Sequence, residues 1–166
     1  MSNNRLFGTD GIRTRAGEFP LNGAAVSAIG QAIGEKLGGR ILVGQDTRLS
    51  SPWILELLVE GIRKTSAHIE DAGVIPTPAI ALLTKSNDLA GGIMISASHN
   101  PYDDNGIKVF SSDGRKLNDS DEIAIEASIG HRINYLFQNT EFIPGYRTVD
   151  LAVPALRFAI TPTISR

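Results

Sequence analysis

Ser98-His99-Asn100-Pro101 closes an apolar run, Gly92-Ile93-Met94-Ile95, with the small residues Ser96 and Ala97 in between. A run of that kind carries a hydroxyl out of a buried strand and into a loop. Lys108 follows seven residues after Pro101, within Asn105-Gly106-Ile107-Lys108. A serine hydroxyl can hold a phosphoryl group as a covalent intermediate, which divides one hard transfer into two easier ones. The phosphate oxygens then need cations or donors. His99, Asn100 and Lys108 are of the right types, and Gly106 would allow close backbone approach. The same residues also make ordinary solvated turns, so the loop alone leaves both readings open. A hydrolase reading has less behind it. Ser98 and His99 are neighbours whose side chains diverge, the G-x-S-x-G elbow is absent around Ser98, and nothing ties His68 or His131 into a triad.

Two further groups suit phosphate chemistry. Phe7-Gly8-Thr9-Asp10-Gly11-Ile12-Arg13 sets an arginine just beyond a glycine-flanked turn, and arginine forks onto phosphate. It matches no dinucleotide or P-loop fingerprint. Asp46 and Arg48 lie in Val43-Gly44-Gln45-Asp46-Thr47-Arg48-Leu49-Ser50-Ser51, after a strand pattern and before a helix signal. They are expected to pair with each other or to brace a nearby loop rather than to react. Asp103 and Asp104 could approach a metal. Asp119, Asp121, Glu122 and Glu126 read as a helix start and its solvated face.

The elements that must position these groups alternate between helix and strand. Asn22 is expected to cap a helix through Leu37, with Val26, Ile29, Ile33 and Leu37 on one face and Gly38-Gly39 as its stop. Arg40 to Gly44 reads as a buried strand. Ser50 or Ser51 with Pro52 opens a second helix on Ile54, Leu55, Leu58 and Ile62. A strand around His68 to Asp71 is closed by Gly73, and Thr77-Pro78 repeats the cap-plus-proline signal before Ala79 to Lys85. The strand Gly92 to Ser96 and a strand around Ile107 to Phe110 flank the serine loop. The second follows too closely for a helical crossover, so it should run antiparallel. Asp113-Gly114 marks a turn, and Asp119 begins a helix. The pattern predicts an α/β fold whose sheet is mixed but mostly parallel and covered on both faces. Residues 131–166 read as a divergent tail with a helix start near His131, then extended chain.

Composition narrows the function classes. The chain has 166 residues, 42% hydrophobic, with net charge −2 and no cysteine. That suits one domain at 1–130 plus the tail, and excludes disulfides and thiolate chemistry. There is no basic stripe for nucleic acid and no membrane-length apolar run. The start, Met1-Ser2-Asn3-Asn4-Arg5, lacks the apolar core of a secretory signal. A soluble, cytoplasmic protein is expected.

The ordered segments FGTDGIR, VGQDTRLSS, GVIPTP, ISASHNP and NGIKVF change the balance at Ser98. Together they resemble the N-terminal domain of the α-D-phosphohexomutases, over roughly Arg5 to Ile129, and within them the phosphoglucosamine mutase branch. The resemblance implies a three-layer α/β/α domain. It implies that Ser98 is the phosphorylated serine, whose phosphate also coordinates Mg²⁺. The net reaction would shift phosphate between C6 and C1 of a hexose phosphate, glucosamine phosphate by resemblance. Lys108 would be a general base or electrostatic stabiliser, Arg13 an active-site arginine, and His99 and Asn100 would shape the serine loop.

Three departures qualify this. Thr14 stands where the family usually has glycine and would stiffen a turn. Gln45 stands where arginine is common. The family's D-G-D-x-D-R metal loop, G-E-x-S-G-H sugar loop and R-x-S-G-T phosphate loop do not occur here. Such a chain is expected to be the serine-bearing part of a mutase, inactive alone. A stand-alone phosphate-ligand binding or self-associating interaction module, the association running through interdomain surface or tail, is the competing expectation.

Overall fold

The computed structural model describes residues 5–139. Nine elements follow in order: β1 Ile12–Arg15, α1 Gly23–Leu37, β2 Arg40–Gln45, α2 Ser51–Ile62, β3 His68–Val74, α3 Thr77–Ser86, β4 Gly91–Ile95, β5 Asp104–Ser111 and α4 Asp119–Asn139. The five strands form one sheet in the order β1-β5-β4-β2-β3. β2 pairs parallel with β3 and β4, while β5 pairs antiparallel with β4 and β1. Only β5 therefore runs against the other four strands, as its short connection to β4 requires.

Side chains alternate across this sheet and make two cores. Ile41, Val43, Ile93, Ile95, Ile107 and Val109 pack on one face with α1, α2 and α4. Leu42, Met94 and Ile80 of α3 form the smaller core on the other face, backed by Ile75 and Phe110. Helices on both faces give the α/β/α sandwich that the sequence predicts. On the larger face α1 and α2 approach closely. A Cβ added at Gly30 would meet the Leu58 carbonyl oxygen at 2.2 Å, and one at Gly61 would meet the Ser27 carbonyl oxygen at 2.0 Å.

Several local expectations hold. The Asn22 side chain accepts from the Ala25 amide and caps α1, and Gly38 ends it with φ of 60°. Others need correction. Neither Ser50 nor Ser51 caps α2 with its side chain: Ser50 has helical dihedrals, and both hydroxyls are engaged elsewhere. Thr77 is the first residue of α3 rather than its cap, a place held by Pro76. Arg13 and Thr14 lie in edge strand β1, paired with Gly106 and Asn105. Thr14 thus stiffens no turn; a β-branched residue suits its strand. The expected helix start near His131 is also wrong. α4 is continuous from Asp119, because Ile125 and Ile129 are buried and Ile133 packs on the same core. That four-residue apolar spacing outweighs the cost of about 1 kcal/mol for a mid-helix Gly130. The extended chain expected later in the tail lies outside the described residues. Among the described residues no helix is long and apolar enough to cross a membrane.

Candidate active site

The carboxyl ends of β2 and β4 are adjacent, and their onward connections diverge: β2 leads through α2 to β3, and β4 turns back into β5. In open α/β sheets a ligand crevice forms at such a switch point. Here a cleft of about 610 Å³ opens there, lined among others by Asp46, Arg48, Met94, Ser96, Ser98 and Asn100.

Ser98 sits in the loop from β4 to β5, exposed, with φ of 56°. That left-handed conformation is uncommon for a residue with a side chain. It is held from several sides. The Ser98 amide donates to Ser96 Oγ at 3.0 Å. Arg48 is the main clamp: its guanidinium donates to the carbonyls of Ser98 (3.0 Å), Asn100 (2.9 Å), Pro101 and Asp104 (3.1 Å). Asp46 orients that guanidinium through Arg48 Nε at 3.1 Å and also accepts from the Arg48 amide and Ser51 Oγ. Both expected roles of Asp46 and Arg48, mutual pairing and loop bracing, are therefore present. Burial pushes the Asp46 carboxyl up. The Arg48 amide, the Ser51 and Ser96 hydroxyls and the Arg48 charge outweigh it, and its pKa ends below the usual carboxylate value.

Lys108 reaches Ser98 from the strand beside it. It pairs with Met94 across β4–β5 and projects to the α3 face, opposite Ile107 and Val109. Its Nζ donates to Ser98 Oγ at 2.7 Å. Burial lowers its pKa below the lysine norm, the Arg13 charge adds to this, and Asp10 partly opposes it.

Arg13 joins the group on the same face. It donates to Asn100 Oδ1 at 3.2 Å and to Asp10 Oδ2 at 2.9 Å, which ties the first motif to the serine loop. Gly106 serves this packing rather than an approach by substrate: a Cβ there would meet the Ser96 and Ile12 carbonyls and the Arg13 stem within 3.0 Å. Asn100 is pinned again by its amide to Asp104 Oδ2 at 2.9 Å. His99 is exposed beside the serine and joins none of these side-chain bonds.

The sequence reading missed Ser96, Asn105 and the real use of Ser51. Asn105 was readable from the two-residue period of β5, which puts it on the core face with Ile107 and Val109, where a polar side chain must find partners. Asp119, Asp121 and Glu122 do start α4 as expected, but Glu122 and Glu126 do not lie on a purely solvated face. Glu122 is buried and faces Lys116 (3.0 Å) and Arg5 (3.6 Å), while Glu126 accepts from the Phe7 amide.

The model of the phosphoglucomutase/phosphomannomutase alpha/beta/alpha domain I matches residues 4–135. The chain belongs to this family. Phosphoglucosamine mutase of Koribacter versatilis is 49% identical over 137 residues, covering 80% of this chain and 30% of that protein. Its counterpart in Solibacter usitatus is 50% identical over 129 residues, 75% of this chain and 29% of that protein. A crystal structure of a putative phosphomannomutase from Thermus thermophilus superposes with TM-score 0.69 at 29% identity, covering 78% of this chain and 30% of its own. The chain thus spans about 30% of the length of the curated relatives it matches, and what it shares with them is phosphohexomutase domain I.

Proposed function

We propose that this chain is the nucleophile-bearing domain of a phosphosugar mutase, with Ser98 as the residue that carries the phosphate. The supporting observation is the 2.7 Å contact of Lys108 Nζ with Ser98 Oγ at the mouth of a cleft on the carboxyl edge of the sheet. In the proposed transfer, the P–O bond to Ser98 Oγ breaks and a P–O bond to a hexose hydroxyl forms. The sugar hydroxyl loses a proton and Ser98 Oγ regains one, and Lys108, in contact with Oγ, passes it. Burial and the Arg13 charge lower its pKa, which eases release of its proton. Arg13 adds positive charge on the same side. Repeating the transfer in reverse from the other end of the sugar would move phosphate between C1 and C6. Glucosamine phosphate is the proposed substrate, on the names of the relatives.

Mg²⁺ is a separate matter. Among the described residues no three His, Asp or Glu side chains converge to hold a metal ion. Asp10, Asp46 and Asp104 near the serine are committed to Arg13, Arg48 with Ser51, and Asn100. A divalent ion takes six or more oxygens, and a Ser98 phosphate would supply only part of that shell. The described side chains do not make the site.

The test is intact mass after incubation with glucose 1,6-bisphosphate. One added phosphate, mapped to Ser98 and lost in Ser98→Ala, is expected. Phosphate mapped to another residue, or none at all, would remove the nucleophile reading; binding without covalent transfer would instead favour a phosphate-binding module.

A further inference from the structure

Asn105 is fully buried, yet it is a polar residue, the second of β5. Its amide Nδ2 donates to Ser50 Oγ at 2.8 Å and to Ser51 Oγ at 3.0 Å. Its Oδ1 accepts from the Gly106 amide at 2.8 Å. From these contacts two paths lead to Ser98. On one, Ser51 Oγ donates to Asp46, Asp46 orients Arg48, and Arg48 holds the Ser98 carbonyl. On the other, Gly106 accepts from the Ser96 amide at 2.9 Å, and Ser96 Oγ accepts from the Ser98 amide. The two paths grip Ser98 by its carbonyl and by its N–H.

Resting on the nucleophile reading above, we infer that Asn105 is a positioning residue that sets Ser98 Oγ against Lys108 Nζ from the opposite face of the sheet. Lys108 and Arg13 act on the α3 face, whereas Asn105 lies on the α2 face and touches neither. A buried amide that only filled core would not need the start of α2. Ser50 and Ser51 leave the capping role, where a serine ordinarily stabilises a helix start, and turn to Asn105 and Asp46 instead. Fully satisfied buried networks of this sort fix one geometry.

Asn105→Ala and Ser51→Ala in the full chain test this, with Ile62→Val as a core control remote from the loop. Two readouts are needed. The first is the rate of phosphate uptake at Ser98 from glucose 1,6-bisphosphate. In that step the sugar P–O bond breaks, a P–O bond to Oγ forms, and the Oγ proton goes to the departing sugar oxygen. The second is the pH dependence of reductive methylation at Lys108, read by mass spectrometry, which needs no phosphate transfer. Both variants should take up phosphate about tenfold more slowly or worse, a loss expected from misplacing reacting groups. The double variant should be no slower than the slower single. In both, a loosened serine loop should leave Lys108 less buried, so that burial, the main cause of its lowered pKa, weakens and it titrates closer to ordinary lysine, whereas Ile62→Val leaves both readouts as in wild type. Wild-type Lys108 titration in Asn105→Ala and Ser51→Ala overturns the inference. If the wild-type chain takes up no phosphate, the nucleophile reading fails while the Lys108 titration still decides the role of Asn105.

Discussion

At Ser98 the backbone and the side chain make opposing demands. The left-handed backbone favours glycine, yet the proposed chemistry needs the hydroxyl. Ser98→Gly should therefore be more stable than Ser98→Ala by roughly 1 kcal/mol, with both unable to take up phosphate; thermal unfolding of the pair measures the difference, and equal stability would mean that the loop carries no strain there. Lys108 makes the complementary case. Burial, then the Arg13 charge, hold its pKa below the unfolded value. The unfolded chain then binds the extra proton more tightly, so this group's contribution makes stability rise as pH climbs through the folded pKa toward the unfolded one. Lys108→Met should abolish that part of the alkaline slope and leave stability at neutral pH equal or higher, while phosphate uptake falls. Denaturant titrations of both proteins across alkaline pH would show it, and identical slopes would contradict it. A side chain shown in this way to cost stability, yet lying against the serine, would be placed for something other than folding.

The elements differ in what they contribute to the loop. α2 and β2 together hold it, because Arg48 sits between them and meets four loop carbonyls with one planar fork. A lysine there keeps the charge but not the fork. Arg48→Lys should raise amide hydrogen exchange in the segment from Ser98 to Asp104 by about tenfold, equivalent to 1.4 kcal/mol of lost protection, with little change in β2 and β4. Uniform exchange across the domain would count against a local clamp. α2 in turn packs closely against α1. Gly30 and Gly61 let the two helices meet backbone to backbone, and Gly61→Ala should destabilise the domain by about 2–3 kcal/mol, the scale of overpacking. Its unfolding midpoint in denaturant measures this. A shift of under half that would mean that α2 slides with little resistance, and then phosphate uptake should fall with it.

For the whole molecule, the fold was more legible than the site. Periodicity, glycine stops and the short β4–β5 connection were enough for the helices, the strands from β2 to β5 and the reversed strand. They were not enough for β1, whose four residues carry no apolar run, or for the length of α4, whose Ile125, Ile129 and Ile133 spacing was hidden behind Gly130. Ser98, Lys108 and Asn100 stood out in the sequence because their types suit phosphate, and the fold brings them together at one loop. The hydroxyls of Ser51 and Ser96 did not stand out, since a serine can cap, solvate or relay, and only the tertiary contact decides. The same whole-molecule view limits what the domain can do. On the proposed reading, all the groups gathered at Ser98 would act on one end of a substrate: a nucleophile, a lysine, an arginine and their braces. A mutase must also hold the sugar in two opposite orientations, with contacts far from the reacting bond, and positioning of that kind is worth about 7–11 kcal/mol of barrier. No D-G-D-x-D-R, G-E-x-S-G-H or R-x-S-G-T segment occurs in these 166 residues, and the carboxylates nearest the serine are already occupied. The chain alone should therefore accept phosphate at Ser98 but give no measurable interconversion of glucosamine 6-phosphate and glucosamine 1-phosphate, and unphosphorylated protein should show no saturable Mg²⁺ binding by calorimetry. Turnover by this chain alone would show that the cleft beside Ser98 holds both ends of the sugar by itself. Phosphate uptake without turnover would instead locate the chemistry in this domain and the orientation of the sugar in contacts that these residues do not provide.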